Sequence, residues 1–207
     1  MKVISSLTAA SLCLLALVAT STAENTIYPA LKGSLVESKG KKTAAFDDAP
    51  LANAKYYALY YSAAWCGPCR AFTPDLVRWY KRNKSKHPQF ELIFVSSDRS
   101  EEEMAKYMND DDMPWPALAY DKKSSSRALT KYSGPGIPCL VLIDDQGKVL
   151  ADSYEGKNYL GPQKALETIE KTLKKGATAN GTSGTSGAST GSSSFDEAFK
   201  KKPAATQ

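Results

Sequence analysis

Two cysteines three residues apart, Cys66 and Cys69, lie between a strand-like stretch and a helix-like one. That placement constrains the chain more than any other feature. Before the pair runs Tyr56-Tyr57-Ala58-Leu59-Tyr60-Tyr61, rich in the aromatic residues that suit a buried strand. After it, Phe72, Leu76, Trp79 and Tyr80 recur at helical spacing, which predicts a helix over residues 67–83. Cys66 then falls at a helix N-terminus, where unpaired N–H groups and the helix dipole favour thiolate over thiol. The thiolate is the species that attacks disulfides, so the spacing reads as a redox pair.

Residue roles follow from that geometry. Cys66, in the first turn, is the expected nucleophile and the more exposed sulfur. Cys69, one turn on and deeper, is expected to resolve the mixed disulfide. Gly67 and Pro68 suit the first turn, since proline there forfeits no hydrogen bond and its φ is already helical. Trp65 is expected to form an apolar shelf beside the thiols. The competing reading of the pair is half of a zinc site. Beyond these two thiols, residues 24–175 offer only Cys139 and His87 as further soft ligands, so no metal and no cofactor is expected.

The flanking strings carry a resemblance. Trp65-Cys66-Gly67-Pro68-Cys69 with Pro74, and Gly136-Ile137-Pro138 before the strand-like Cys139-Leu140-Val141-Leu142-Ile143, are similar to the active-site helix and cis-proline loop of the thioredoxin superfamily. Ser62-Ala63-Ala64-Trp65-Cys66, Arg70-Ala71-Phe72-Thr73-Pro74 and Met113-Pro114-Trp115 resemble its tryparedoxin and nucleoredoxin branch more closely. The likeness spans residues 31–173. One departure is Gly67-Pro68 between the cysteines, where that branch has Pro-Pro and ordinary thioredoxin has Gly-Pro. A second is Tyr60, which occupies the position of thioredoxin's buried aspartate and removes the usual base for the buried thiol. The resemblance implies a cis bond at Pro138, with the backbone of Ile137 free to pair with an extended substrate across from Cys66. Asp98, after the second strand, is the substitute proton acceptor to test. Cys139 stands where the family has threonine, and its plainer reading is a small core side chain. Trp115 reads either as a partner-facing anchor or as a core cap.

The ends differ from the middle. Residues 1–23 read as a cleavable signal: Lys2, an apolar run, then Ser21-Thr22-Ala23. This implies a secreted or periplasmic protein without stable membrane insertion after cleavage. Residues 176–207 form an expected disordered tail, because 177–194 consist wholly of Ala, Gly, Ser, Thr and Asn. Between them, residues 24–175 make one domain. Strands alternating with helices and a closing hairpin at Asp144-Asp145-Gln146-Gly147 predict an α/β sandwich around a mixed sheet, the three-layer α/β/α thioredoxin fold that the resemblance implies. The net charge of +5 is too small to argue for nucleic acid. A monomer suffices.

The resemblance implies a thiol–disulfide oxidoreductase that reduces disulfides of protein substrates and draws electrons from an upstream thiol donor. Gly-Pro between the cysteines favours the reducing direction, since thioredoxin lies near about −270 mV. The alternatives are a disulfide oxidase or isomerase, a peroxidase, or a binding module of the same fold without turnover.

Overall fold

The computed structural model describes residues 24–180. The expected signal, Cys13 and most of the expected tail lie outside these residues. In chain order the elements are α1 (Tyr28–Leu31), β1 (Leu35–Lys39), β2 (Lys42–Ala45), β3 (Tyr56–Ser62), α2 (Gly67–Asn83), β4 (Phe90–Ser96), α3 (Glu101–Asp110), β5 (Ala117–Leu118), α4 (Arg127–Thr130), β6 (Cys139–Asp144), β7 (Val149–Asp152), β8 (Tyr154–Glu155), β9 (Asn158–Tyr159) and α5 (Pro162–Asn180). Seven strands form one sheet in the order β2-β1-β5-β4-β3-β6-β7. The sheet is mixed: β3 runs parallel to β4 over its whole length and antiparallel to β6.

β3 is central and all but completely buried, which explains its apolar sequence. Its alternate residues feed two separate cores. Ala58 and Tyr60 pack with Phe72, Leu76 and Trp79 of α2, Met104, Tyr107 and Met108 of α3, and Leu166, Ile169 and Leu173 of α5. Tyr57, Leu59 and Tyr61 face the opposite layer, closed by Leu31 of α1, Leu51, and Leu129 of α4. The three layers are therefore unequal, with every long described helix on one side and four-residue helices on the other.

Local signals account for the boundaries. Ser100 caps α3, its hydroxyl accepting from Glu103 N–H while Glu103 reaches back to Arg99 N–H. Pro162 opens α5 at a position where no N–H is lost. Two expectations shift. α5 runs to Asn180, beyond the expected domain end at residue 175, since extending a helix already formed and docked is far cheaper than starting one. The helix expected over residues 125–131 shrinks to Arg127–Thr130. Among the described residues no helix is long and apolar enough to cross a membrane.

Candidate active site

β3 delivers the chain to the thiols. Its last residue, Ser62, leads through Ala63, Ala64 and Trp65 into α2, and Cys66 is the N-cap of that helix, with extended φ −87° and ψ 106°. The Cys66 sulfur accepts a hydrogen bond from Cys69 N–H at 3.2 Å, one of the N–H donors that a helix start leaves unpaired. The two cysteines form a disulfide, with Cα atoms 5.2 Å apart. Gly67 and Pro68 lie exposed in the first turn, and Trp65 is 55 % exposed, its indole N–H donating to the Ser97 carbonyl at 3.2 Å.

The loop before β6 closes over the pair. Ile137–Pro138 is a cis bond, and the Ile137 carbonyl oxygen lies 3.8 Å from Cys66 Sγ. Ala63, both cysteines and Ile137 form a small apolar cluster of their own. In this disulfide form Cys66 is the more exposed sulfur, but only slightly: it is 6 % exposed and Cys69 is fully covered. The cause is the cis-proline loop.

Asp98 lies under the Ala64-Trp65 turn and makes no hydrogen bond to the sulfurs. One of its carboxylate oxygens accepts from Ala64 N–H at 2.7 Å and the other from the Ser96 hydroxyl at 2.8 Å. Burial pushes its pKa up, and these two hydrogen bonds pull part of the way back. The arrangement pins the Ala64-Trp65 turn. It gives Asp98 no hydrogen bond to either cysteine.

Beneath Cys69 the sequence showed only a missing aspartate. In its place stands a chain of four buried hydroxyls. Thr73 Oγ1 donates to the Cys69 carbonyl at 2.9 Å and bonds the hydroxyls of Tyr60 at 2.9 Å and Tyr107 at 2.6 Å. Tyr107 in turn meets Ser62 Oγ at 3.0 Å. Burial pushes the Tyr60 phenol far above its usual range, so it stays a neutral donor. Cys139 is fully buried, unpaired, and held as a thiol with its pKa pushed up to about 11 by burial. Trp115 is 1 % exposed and packs edge-on to Tyr60 and Tyr80, which makes it a core residue and not a partner anchor. No group of three or more His, Cys, Asp or Glu side chains among the described residues is placed to hold a metal.

A family model described as thioredoxin-like matches residues 53–149. A solved thioredoxin from Wuchereria bancrofti is 30 % identical, with a TM-score of 0.52 over 69 % of this chain and 97 % of that one. The chain belongs to the thioredoxin-like family. Within it, human nucleoredoxin is 44 % identical over 96 residues, which is 46 % of this thioredoxin-like chain and 22 % of the relative. Tryparedoxin I from Crithidia fasciculata is 29 % identical, with a TM-score of 0.50 over 60 % of this chain and 83 % of that one. This thioredoxin-like chain thus spans about a quarter of the length of the nucleoredoxins it matches. The same relatives correct the expected location. Secretion or a periplasmic home rested on residues 1–23, whereas the nucleoredoxins to which the chain is similar are intracellular proteins.

Proposed function

We propose that this thioredoxin-like chain reduces disulfides of protein substrates by dithiol–disulfide exchange, with Cys66 as nucleophile and Cys69 as resolving thiol. The observation that carries the reading is the Cys66 sulfur at the α2 N-cap, taking the Cys69 N–H on one side and facing the Ile137 carbonyl on the other. The N–H and the helix start favour a thiolate. The cis-proline loop supplies backbone against which an extended substrate segment pairs.

The cycle balances as follows. The Cys66 thiolate attacks one sulfur of the substrate disulfide; that S–S bond breaks, and the departing substrate thiolate takes a proton. The Cys69 thiol gives up its proton and attacks Cys66 Sγ. The Cys66–Cys69 disulfide forms and the second substrate thiolate leaves. Two electrons pass from the dithiol to the substrate, and an upstream dithiol protein returns them. Trp65 offers an apolar face beside the thiols, and Asp98 acts by holding the turn that carries it.

The test is covalent capture. Cys69→Ser should leave a protein substrate bound to Cys66 as a mixed disulfide that reductant releases, and Cys66→Ser should capture nothing and reduce no insulin. Retention of insulin reduction by Cys66→Ser overturns the reading. A reduction potential well above about −200 mV would turn the direction toward oxidation or isomerisation.

A further inference from the structure

The ribbon β8–β9 stands outside the seven-stranded sheet, and each of its strands is two residues long. A ribbon so short has no stability of its own and keeps its shape through what it packs on. It packs on the cis-proline loop. The Tyr159 hydroxyl donates to the Pro138 carbonyl at 2.9 Å, although the residue is 47 % exposed. The Tyr154 hydroxyl lies beside Gly136. The two rings lie against each other with centroids 4.9 Å apart. One ribbon therefore grips the backbone on both sides of the Ile137–Pro138 bond.

The loop is cut to receive the rings. A Cβ on Gly134 would stand 2.3 Å from Tyr154 Cε2, and one on Gly136 would stand 3.1 Å from its hydroxyl. The first is closer than a side-chain carbon tolerates, and the second is tight enough that the hydroxyl would have to give by a few tenths of an ångström. The ribbon is itself tied to β6 through Ser153, whose Oγ accepts from Leu140 N–H at 2.7 Å and donates to the Leu140 carbonyl at 3.1 Å. The clamp is thus anchored in the sheet and ends at the loop.

We infer that Tyr154 and Tyr159 are positioning residues that set the height of the Ile137–Pro138 backbone above Cys66, and with it the slot that an extended protein disulfide enters. The inference rests on the disulfide-exchange reading above. Its logic is geometric: the gap between the Ile137 carbonyl and Cys66 Sγ is 3.8 Å, so a loop displaced by about an ångström presents a different slot to substrate and sulfur alike.

Tyr159→Phe and Gly134→Ala test it from opposite sides. The first removes only a hydroxyl; the second keeps both hydroxyls and displaces the Tyr154 ring. Each should raise KM for insulin, with dithiothreitol as reductant, by about fivefold, the worth of one ordinary hydrogen bond, while kcat stays within about twofold. Each should also speed iodoacetamide labelling of Cys66 in the reduced protein, followed by mass spectrometry from pH 6 to 9, because a released loop no longer covers the sulfur. Wild-type KM together with a wild-type labelling profile in both variants overturns the inference. So does a loss confined to kcat or to thermal midpoint, which is what a merely structural role would give. If the wild-type protein reduces no disulfide, the exchange reading fails, and unchanged Cys66 labelling would then reject the clamp separately.

Discussion

The two ends of helix α2 bury polar groups in opposite ways. At the far end, Glu91 of β4 is 4 % exposed and ionic: it lies 3.2 Å from Lys84 Nζ and accepts the Tyr80 hydroxyl at 2.6 Å. At the thiol end, the groups under Cys69 are four neutral hydroxyls and a carbonyl, hydrogen-bonded to one another with no charged group among them. A buried carboxylate survives where a cation neutralises it, and is costly where none does. The difference teaches that the floor of the thiol site is built for rigidity, not for accepting protons. Tyr60, with its phenol acidity suppressed by burial, cannot take the Cys69 proton. In the proposed cycle that leaves water or the departing substrate thiolate to take the proton.

The sharpest way to break this contrast is at the ionic end. Glu91→Leu leaves the buried Tyr80 hydroxyl without its acceptor and Lys84 without its anion. The expected cost is about 3 kcal/mol, read from the urea midpoint. Turnover per folded molecule should not change, because Glu91 sits at the opposite end of β4 from the thiols. A loss of specific activity would mean that the two ends are coupled.

Thr73→Val tests the other end with a smaller effect. The Thr73 hydroxyl is the hub of the chain, bonded to Cys69 O, Tyr60 and Tyr107. Removing it should cost about 2 kcal/mol, since Tyr107 keeps Ser62 and Tyr60 keeps a 3.4 Å approach to the Cys69 carbonyl. Here stability and chemistry should fall together, with slower release from the mixed disulfide as the first turn of α2 loosens. Tyr60→Phe removes a peripheral member of the same network and should cost about 1 kcal/mol. Its pH–rate profile should match wild type, because a group that never ionises contributes no titration. A lost ionisation in that variant would restore Tyr60 as a proton acceptor and undo the contrast.

The parts of this arrangement that sequence disclosed are those written in contiguous strings. The strand before the thiols, the helix after them, the proline loop and the two sheet-forming runs each carry their own periodicity or turn chemistry, and the structure places them at nearly the expected residues. What stayed hidden is what distant residues make together. Thr73 and Tyr107 are 34 positions apart, and each reads as an ordinary core residue until the fold joins their hydroxyls. β5, β8 and β9 are two residues each, too short for alternation to register. Trp115, flanked by two prolines, read equally as surface or core. It is buried because Pro116 continues into the sheet, its carbonyl accepting Phe94 N–H at 2.9 Å.

Asp98 separates the two kinds of burial most finely, and its effect is the smallest. Like Glu91 it is a buried carboxylate, but no ion pair accompanies it; its oxygens are met by Ala64 N–H and the Ser96 hydroxyl. Desolvation dominates and raises its pKa above the usual 3.8. The sign follows from linkage. A carboxyl with a raised folded-state pKa holds its proton more tightly when folded, so stability is highest below the unfolded pKa and falls as pH climbs to the folded one. Asp98→Asn does not titrate and escapes that fall. Relative to wild type, the variant should gain stability as pH rises from about 4, with the gain levelling off above the raised pKa. Denaturant midpoints of both proteins between pH 3 and 8 measure it. The same variant should slow disulfide reduction without unfolding, because an amide cannot accept from both Ala64 N–H and the Ser96 hydroxyl, and the Trp65 turn loosens. A pH-independent stability difference would show that Asp98 carries no desolvation penalty, and wild-type turnover across pH 6–9 would remove it from the site altogether.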